Sequence, residues 1–250
     1  MTVSSVREHY ENVLSEHYSR MLGDFEAKVV EQRALLERLG VRASATGAVA
    51  VDLGCGPGVQ SIALAHLGFR VLSVDFSQRL LAELKDRTRG LPVEAVAGDL
   101  RDIQSLVPSG LEVVVCMGDT LSHLDREADL ERLFAGVATR LVGGGRFVLS
   151  FRDLGGELRD LDRIIPVCAA DDIVMTCFLE YEPATVKVHD LIWVRKRDGW
   201  VFRKGVYRKL RLTADTVAAR LESAGFTLER HQAPGGMVVL VGVWADRRRS

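Results

Sequence analysis

Between residues 47 and 152 the chain alternates between two periods, and that alternation limits its fold more than any other feature. Short β-branched runs (AVAVDLG, FRVLSVD, VEAVAGD, LEVVVCMG and GGRFVLSF) are separated by stretches whose apolar residues recur at three and four spacings. Strands that are apolar throughout, rather than at every second residue, are covered on both faces, and helices between successive strands supply the cover. The expected fold class is α/β, with a doubly wound, Rossmann-like parallel sheet at its centre.

The flanks differ from this core. Residues 5–22 and 25–39 carry helical spacing (Val13, Leu14, Met21, Leu22; then Val29, Leu36, Leu39), with Gly40 placed to end the second helix. After the core, RIIPVCAA, DIVMTCFLEYE, ATVKVHDLIWVRKRDG and WVFRKGVYRKLRL follow one another with no helix between them. Short turns between such strands, among them the hairpin signal Asp198-Gly199, predict an antiparallel insertion over 160–211. TADTVAARLESAGF is a final helix with Thr213 as its N-cap, and FTLERHQ and MVVLVGVWAD are two closing strands. The expectation is one domain over 1–250. It divides into an N-terminal helical cap (1–45), a ligand-binding core (47–153), the antiparallel insertion or lid (160–211) and a closing helix with strands (213–250).

Charge and composition exclude several classes. With 33 basic and 34 acidic residues the net charge is −1, which offers neither nucleic acid nor an anionic membrane an electrostatic reason to bind. The basic ending DRRRS reads as a solvated tail. No apolar run reaches the roughly 18 residues of a membrane helix, and MTVSSVREHYENVL lacks the apolar stretch of a secretory signal. Cys55, Cys116, Cys168 and Cys177 are scattered without a paired spacing, so no metal site is expected and buried free thiols are. These features predict a cytoplasmic protein.

The stretch VDLGCGPGVQ, residues 51–60, stands after the first strand and before the first core helix, where α/β sheets bind phosphates and nucleosides. Gly54, Gly56 and Gly58 let the backbone turn sharply and let a ligand approach it closely. Asp75, ending the second strand, is placed to accept both hydroxyls of a ribose. The spacing argues against a dinucleotide, whose third small residue falls on Val59, and a P-loop's Gly-Lys-Ser/Thr ending is absent. Asp52 points the same way: a carboxylate there suits a ligand with ammonium and sulfonium groups and would repel a pyrophosphate.

On these residues the stretch resembles motif I of the class I S-adenosylmethionine-dependent methyltransferases, and the resemblance runs in order from about 47 to 153. It implies S-adenosyl-L-methionine as cofactor and S-adenosyl-L-homocysteine as product. It implies that Asp75, followed by Phe76, holds the ribose, that Asp99 and the Leu100 backbone of AGDL meet the adenine, and that Met117 and Gly118 of CMGDTLSHL flank the methionine moiety. Cys55 fills the loop as a small apolar residue. The segments EHYSRMLGDFE, GDTLSHL and FVLSFRD resemble the small-molecule branch that methylates glycine and aminosugars at nitrogen, with Asp119 where that branch often has Asn and Phe151 where it often has His. By this likeness Tyr18 reaches the cofactor or the acceptor, or else packs in the core. His123 is a general base or a helix-start residue bonded to backbone. Arg152 clamps an acceptor carboxylate or pairs with a neighbouring acid, and Tyr207 orients the acceptor. The expected reaction is methyl transfer to a small polar molecule, at nitrogen first and at oxygen as the alternative. A protein that only binds the cofactor is the rival reading. The insertion, more apolar than a solvated hairpin, is expected to cover the substrate site and to pair two copies of the chain.

Overall fold

The structure, a computed structural model, describes residues 3–232 and 236–245. The DRRRS tail beyond Ala245 lies outside the described residues.

Helices and strands alternate as the core pattern requires: β1 (Val49–Leu53), α4 (Val59–His66), β2 (Arg70–Asp75), α5 (Gln78–Arg87), β3 (Val93–Ala97), α6 (Ile103–Leu106), β4 (Leu111–Cys116), α7 (Glu127–Ala138) and β5 (Leu141–Arg152). Ahead of them stand α1 (Val6–His9), α2 (Tyr18–Met21) and α3 (Phe25–Arg38). β6 (Ile164–Ala170), β7 (Ile173–Tyr181), β8 (Thr185–Lys196), β9 (Gly199–Leu210), α8 (Ala214–Ser223), β10 (Phe226–Gln232) and β11 (Met237–Trp244) follow. Seven strands form one sheet in the order β10-β11-β5-β4-β1-β2-β3. The five core strands pair in parallel, whereas β11 runs antiparallel between β5 and β10. The order reverses at β1, between β2 and β4, and the carboxyl ends of those strands open the crevice in which doubly wound folds bind ligands. Two apolar clusters fill the two faces, one around Leu53, Phe134, Phe147 and Phe151, the other around Leu36, Leu64, Phe69 and Val115.

β6 to β9 form a separate four-stranded antiparallel sheet, in sequence order. One face packs Ile173, Met175, Val188, Ile192 and Tyr207 against Val6, Tyr10 and Leu14 of the N-terminal segment. The other face leaves Ile164, Trp200 and Phe202 exposed, and the expected pairing of two copies would fall there. The hairpin between β8 and β9 is present, but its turn lies at Arg197-Asp198, one residue earlier than Asp198-Gly199. Gly199, at φ +124°, opens β9 opposite Lys196, the place of the glycine that follows a type I turn.

The N-terminal segment departs from expectation. Residues 5–22 are not one helix: α1, capped by Ser5, runs into a π turn over Tyr10–Leu14, closed by the Ser15 N–H on the Tyr10 carbonyl, 2.9 Å. The extra residue of a π turn changes the side-chain period. Val6, Tyr10 and Leu14 thereby face the antiparallel sheet, while Tyr18, one short helix on, faces the core crevice. The segment is a strap between the two sheets, tied by the Ser4 N–H on the Val206 carbonyl (3.0 Å), His9 on Asp190 (2.7 Å) and Arg20 on Asp172 (2.5 Å). Thr213 caps α8 as expected, its hydroxyl accepting the Thr216 N–H. No helix among the described residues is long and apolar enough to cross a membrane.

Candidate active site

The glycine turn between β1 and α4 is built by clearance. Gly54, Gly56 and Gly58 all take positive φ, at +70°, +52° and +102°. A Cβ on Gly54 would stand 2.2 Å from Cγ2 of Thr120, and one on Gly58 would stand 2.3 Å from Cδ1 of Leu84. A Cβ on Gly56 would meet only the Tyr18 ring, at 3.4 Å. Gly54 thus admits the turn after β4, and Gly58 seats α5 against the loop.

Two cavities meet at this turn, sharing Gly54 and Tyr18. The first, about 230 Å³, is lined by Asp75, Phe76, Asp99, Leu100, Tyr10 and His123 among others. The second, about 340 Å³, is lined by Cys55, Met117, Gly118, Asp119, Arg152 and Lys28 among others. Asp75 sits in the first as the ribose reading needs. Its Oδ2 accepts the Gly56 N–H (2.9 Å) and its Oδ1 the Ser77 N–H (2.8 Å), leaving one lone pair of each oxygen for a further donor. Burial pushes the Asp75 carboxyl above its ordinary range, against the pull of those backbone donors.

Asp99 also lines the first cavity, but it is already engaged. Arg101 donates to it from its backbone N–H (3.0 Å) and twice from its guanidinium (2.9 and 2.7 Å). Burial raises the Asp99 carboxyl, and the Arg101 bonds more than offset this and hold it below its usual range. Arg7, from the strap, lies over the Phe76 ring at 4.9 Å and approaches Asp99 at 3.9 Å. The sequence reading missed both arginines. The Asp-Leu-Arg order was visible, but nothing local shows that a side chain turns back on its neighbour.

Asp52 is a correction. Its carboxylate lies beneath the loop, lining neither cavity, where it accepts the Ser61 hydroxyl (2.6 Å), itself bonded by the Ser73 hydroxyl (2.8 Å). Burial raises its pKa to about 7. The residue anchors α4 to β1 and β2 rather than facing a cationic ligand directly. Gly58 likewise lines neither cavity and acts through Leu84. Tyr207 is a second correction. It is buried between His9 (stacked, 4.4 Å) and the edge of His123 (5.8 Å), outside both cavities, so it supports the site instead of touching an acceptor.

The remaining expected residues converge. The Tyr18 side chain lines both cavities with no hydrogen-bond partner among the described residues, and burial raises its pKa to about 12, so it is a phenol with a proton to donate. The Arg152 guanidinium has no ion pair among the described residues and faces the second cavity; its peptide N–H donates to Asp119 Oδ1 at 3.1 Å. The His123 ring ends the turn Thr120–His123 against Tyr10 and Tyr207, its Nε2 buried without a partner. Burial, and then the Lys209 cation, push its pKa down to about 3, so this imidazole is neutral and a weak base. Asp119 takes a left-handed backbone, φ +76°, and its Oδ2 accepts from Lys209 of β9 at 2.6 Å. Lys209 went unnoticed in the sequence because its partner lies 90 residues away, across a sheet whose register only the fold reveals. No cluster of ligands for a metal ion occurs among the described residues.

Residues 50–145 match the family model of a methyltransferase domain. Over 138 residues the chain is 34% identical to a cypemycin N-terminal methyltransferase of a Streptomyces species, covering 50% of this chain and 56% of that one. It is 30% identical over 117 residues to a ubiquinone biosynthesis O-methyltransferase of Xanthomonas euvesicatoria, covering 46% and 47%. The chain thus spans about half the length of these curated relatives. An amino pentose methyltransferase from Micromonospora echinaspora, solved with S-adenosylmethionine bound, shares the fold with a TM-score of 0.71 at 18% identity, over 92% of this chain and 96% of that one. The matched segment contains Gly54, Gly56, Asp75, Asp99 and the turn ending in His123, which are among the residues that line the paired cavities, whereas Tyr10, Tyr18 and Arg152 lie outside it. Residues 50–145 thus match a methyltransferase domain, and the chain as a whole has the fold of solved S-adenosylmethionine-dependent methyltransferases.

Proposed function

We propose that the chain binds S-adenosylmethionine across the two cavities and transfers its methyl group to the nitrogen of a small polar molecule. The observation that carries this reading is the junction of the cavities at Gly54 and Tyr18, with a ribose-type acid in one and an unpaired guanidinium in the other. The residues fit the cofactor: Gly56 lines the first cavity without a side chain, Asp75 has free lone pairs, Phe76 and Leu100 offer apolar contact, and Asp99 keeps one Oδ2 lone pair for an amino group. The bound cofactor supplies a methyl group on a sulfonium, already a good leaving group.

What the protein adds is alignment and dryness. Holding two reactants in line contributes up to about 7–11 kcal/mol without any proton transfer. Tyr18 donates a hydrogen bond where the cavities meet, and Arg152 binds an anionic group of the acceptor. Tyr10, Tyr207 and the strap keep water out. Nitrogen is favoured over oxygen by His123. A hydroxyl acceptor needs a base of matched pKa, and an imidazole at about 3 is poorly matched, whereas an amine that binds uncharged needs none.

The test is a pH–rate profile of the wild type and His123→Asn, on the acceptor found by transfer of labelled methyl. His123 is unprotonated at every pH above about 3, so it adds no limb to the profile between pH 5 and 9. The rate should rise with pH toward the acceptor's own pKa in both proteins, with less than about a tenfold loss in the variant. A loss of about 10²–10⁴-fold would make His123 the base and move the reading to oxygen.

A further inference from the structure

Asp119 is the single carboxylate lining the second cavity besides Glu31, which pairs with Lys28 at 2.7 Å, and its charge is already met by a cation. Its Oδ1 accepts the Arg152 N–H, its carbonyl accepts the Ser122 hydroxyl (2.8 Å), and its Oδ2 receives Lys209 from the antiparallel sheet. Both members of this pair are largely out of solvent, with side chains 16% exposed for Lys209 and 10% for Asp119. Removing charges from water is costly, and a pair this short repays it through mutual attraction and the added hydrogen bonds. Burial pushes the Asp119 carboxyl up, but the Lys209 cation and the hydrogen bonds it accepts more than offset this and hold it below the usual carboxylate range, so the pair persists at neutral pH.

The neighbourhood decides what the pair does. Arg152 beside Asp119 is a cation without a counterion among the described residues, while Tyr18, Tyr207 and His123 are neutral. With Asp119 neutralised by Lys209, the acceptor end of the site carries a net positive charge. An ammonium entering it would meet no free carboxylate and would lose its hydration. An uncharged amine would lose little, and a carboxylate elsewhere on the same molecule would be held by Arg152.

We propose that Lys209 is a specificity-determining residue: by occupying Asp119 it bars cationic amines from the acceptor site and reserves that site for an uncharged nitrogen on a molecule that also bears an anionic group. Lys209 does so from β9, which makes the antiparallel sheet part of substrate selection and not only a cover. The inference rests on the reading of the Asp119–Arg152 end of the second cavity as the acceptor site, with the cofactor in the remainder.

The test uses methylammonium chloride as a probe at neutral pH, titrated into the whole protein and followed by calorimetry and by chemical shifts of the tyrosine rings. In wild type and in Lys209→Arg, which keeps the cation, no saturable binding is expected. In Lys209→Met the freed carboxylate should bind the probe at least about tenfold more tightly, since an unpaired charge in a poorly solvated site attracts its opposite strongly. Lys209→Gln, which keeps a hydrogen bond to Asp119 without the charge, serves if Lys209→Met does not fold and should gain the same binding. Adding Asp119→Asn to either variant should abolish it. Equal binding by wild type and variants, no binding by any of them, or a gain that survives Asp119→Asn would overturn the assignment. A parallel titration with S-adenosylhomocysteine separates the two readings, because its failure would count against the cofactor site while leaving the methylammonium comparison intact.

Discussion

Replacing Asp75 with Ala should weaken S-adenosylhomocysteine binding by about a hundredfold or more, from hydrogen bonds to a charged acceptor worth about 1.5–3 kcal/mol each. Two such bonds to ribose hydroxyls are lost at once. A third loss is internal, because the same carboxylate accepts the Gly56 and Ser77 N–H groups at 2.9 and 2.8 Å and so holds the glycine turn to the start of α5. Asp75→Asn separates the two roles: its amide oxygen still accepts one bond, but the charge and the second acceptor are gone. Calorimetry on wild type, Asp75→Asn and Asp75→Ala should give affinities falling in that order. Circular dichroism should show the seven-stranded sheet retained, since the carboxylate lies at the end of β2 and outside the apolar clusters. Equal affinity in all three proteins would remove Asp75 from the cofactor site.

Gly54→Ala is expected to damage stability and site together. The backbone there is at φ +70°, a conformation costing any other L-residue roughly 1–2 kcal/mol. The added methyl also falls 2.2 Å from Thr120 Cγ2, well inside contact distance. Thr120 begins the turn that ends in His123, and its hydroxyl is bonded to the Met117 carbonyl at 3.0 Å, so it does not retreat without moving the loop beside both cavities. Gly47→Ala is the natural control. Its φ is +87°, but nothing lies within 4 Å of the added methyl. Thermal unfolding should show Gly47→Ala losing only the conformational cost, roughly 2–8 °C at about 2–4 °C per kcal/mol. Gly54→Ala should lose clearly more and should also lose cofactor affinity, which Gly47→Ala keeps. Parity between the two variants would mean that the close approach to Thr120 is not what the glycine serves.

The features legible from the sequence are those written in local chemistry. Apolar runs separated by helical spacing announced the parallel core, and consecutive strands without helices announced the second sheet. Thr213 announced the start of α8, and the glycine turn with Asp75 announced the site, because each signal lies within a few residues of its effect. Asp52 was misread because its charge was legible and its direction was not. Only the fold shows that Ser61 and Ser73 converge beneath the loop to receive it. Tyr207 sits on a strand whose alternation predicts a buried face, yet which ring it would meet depended on where the strap laid His9. The strap itself was read as a plain helix, since a π turn leaves no clear mark in apolar spacing. Arg7 on Phe76 and Lys209 on Asp119 are long-range pairs, the first set by where the strap lies and the second by how the two sheets meet.

The central claim is that this chain moves a methyl group from S-adenosylmethionine to a small-molecule nitrogen, and labelled transfer tests it most directly. The purified protein would be incubated with S-adenosylmethionine carrying a deuterated methyl and with a metabolite extract depleted of macromolecules, alongside the Asp75→Ala variant. Mass spectrometry would then follow S-adenosylhomocysteine and every product that acquires the label. The account predicts S-adenosylhomocysteine formation together with a labelled small molecule whose fragments place the methyl on nitrogen, both lost in Asp75→Ala. Binding of S-adenosylhomocysteine with no labelled product would contradict it, as would a label found on oxygen.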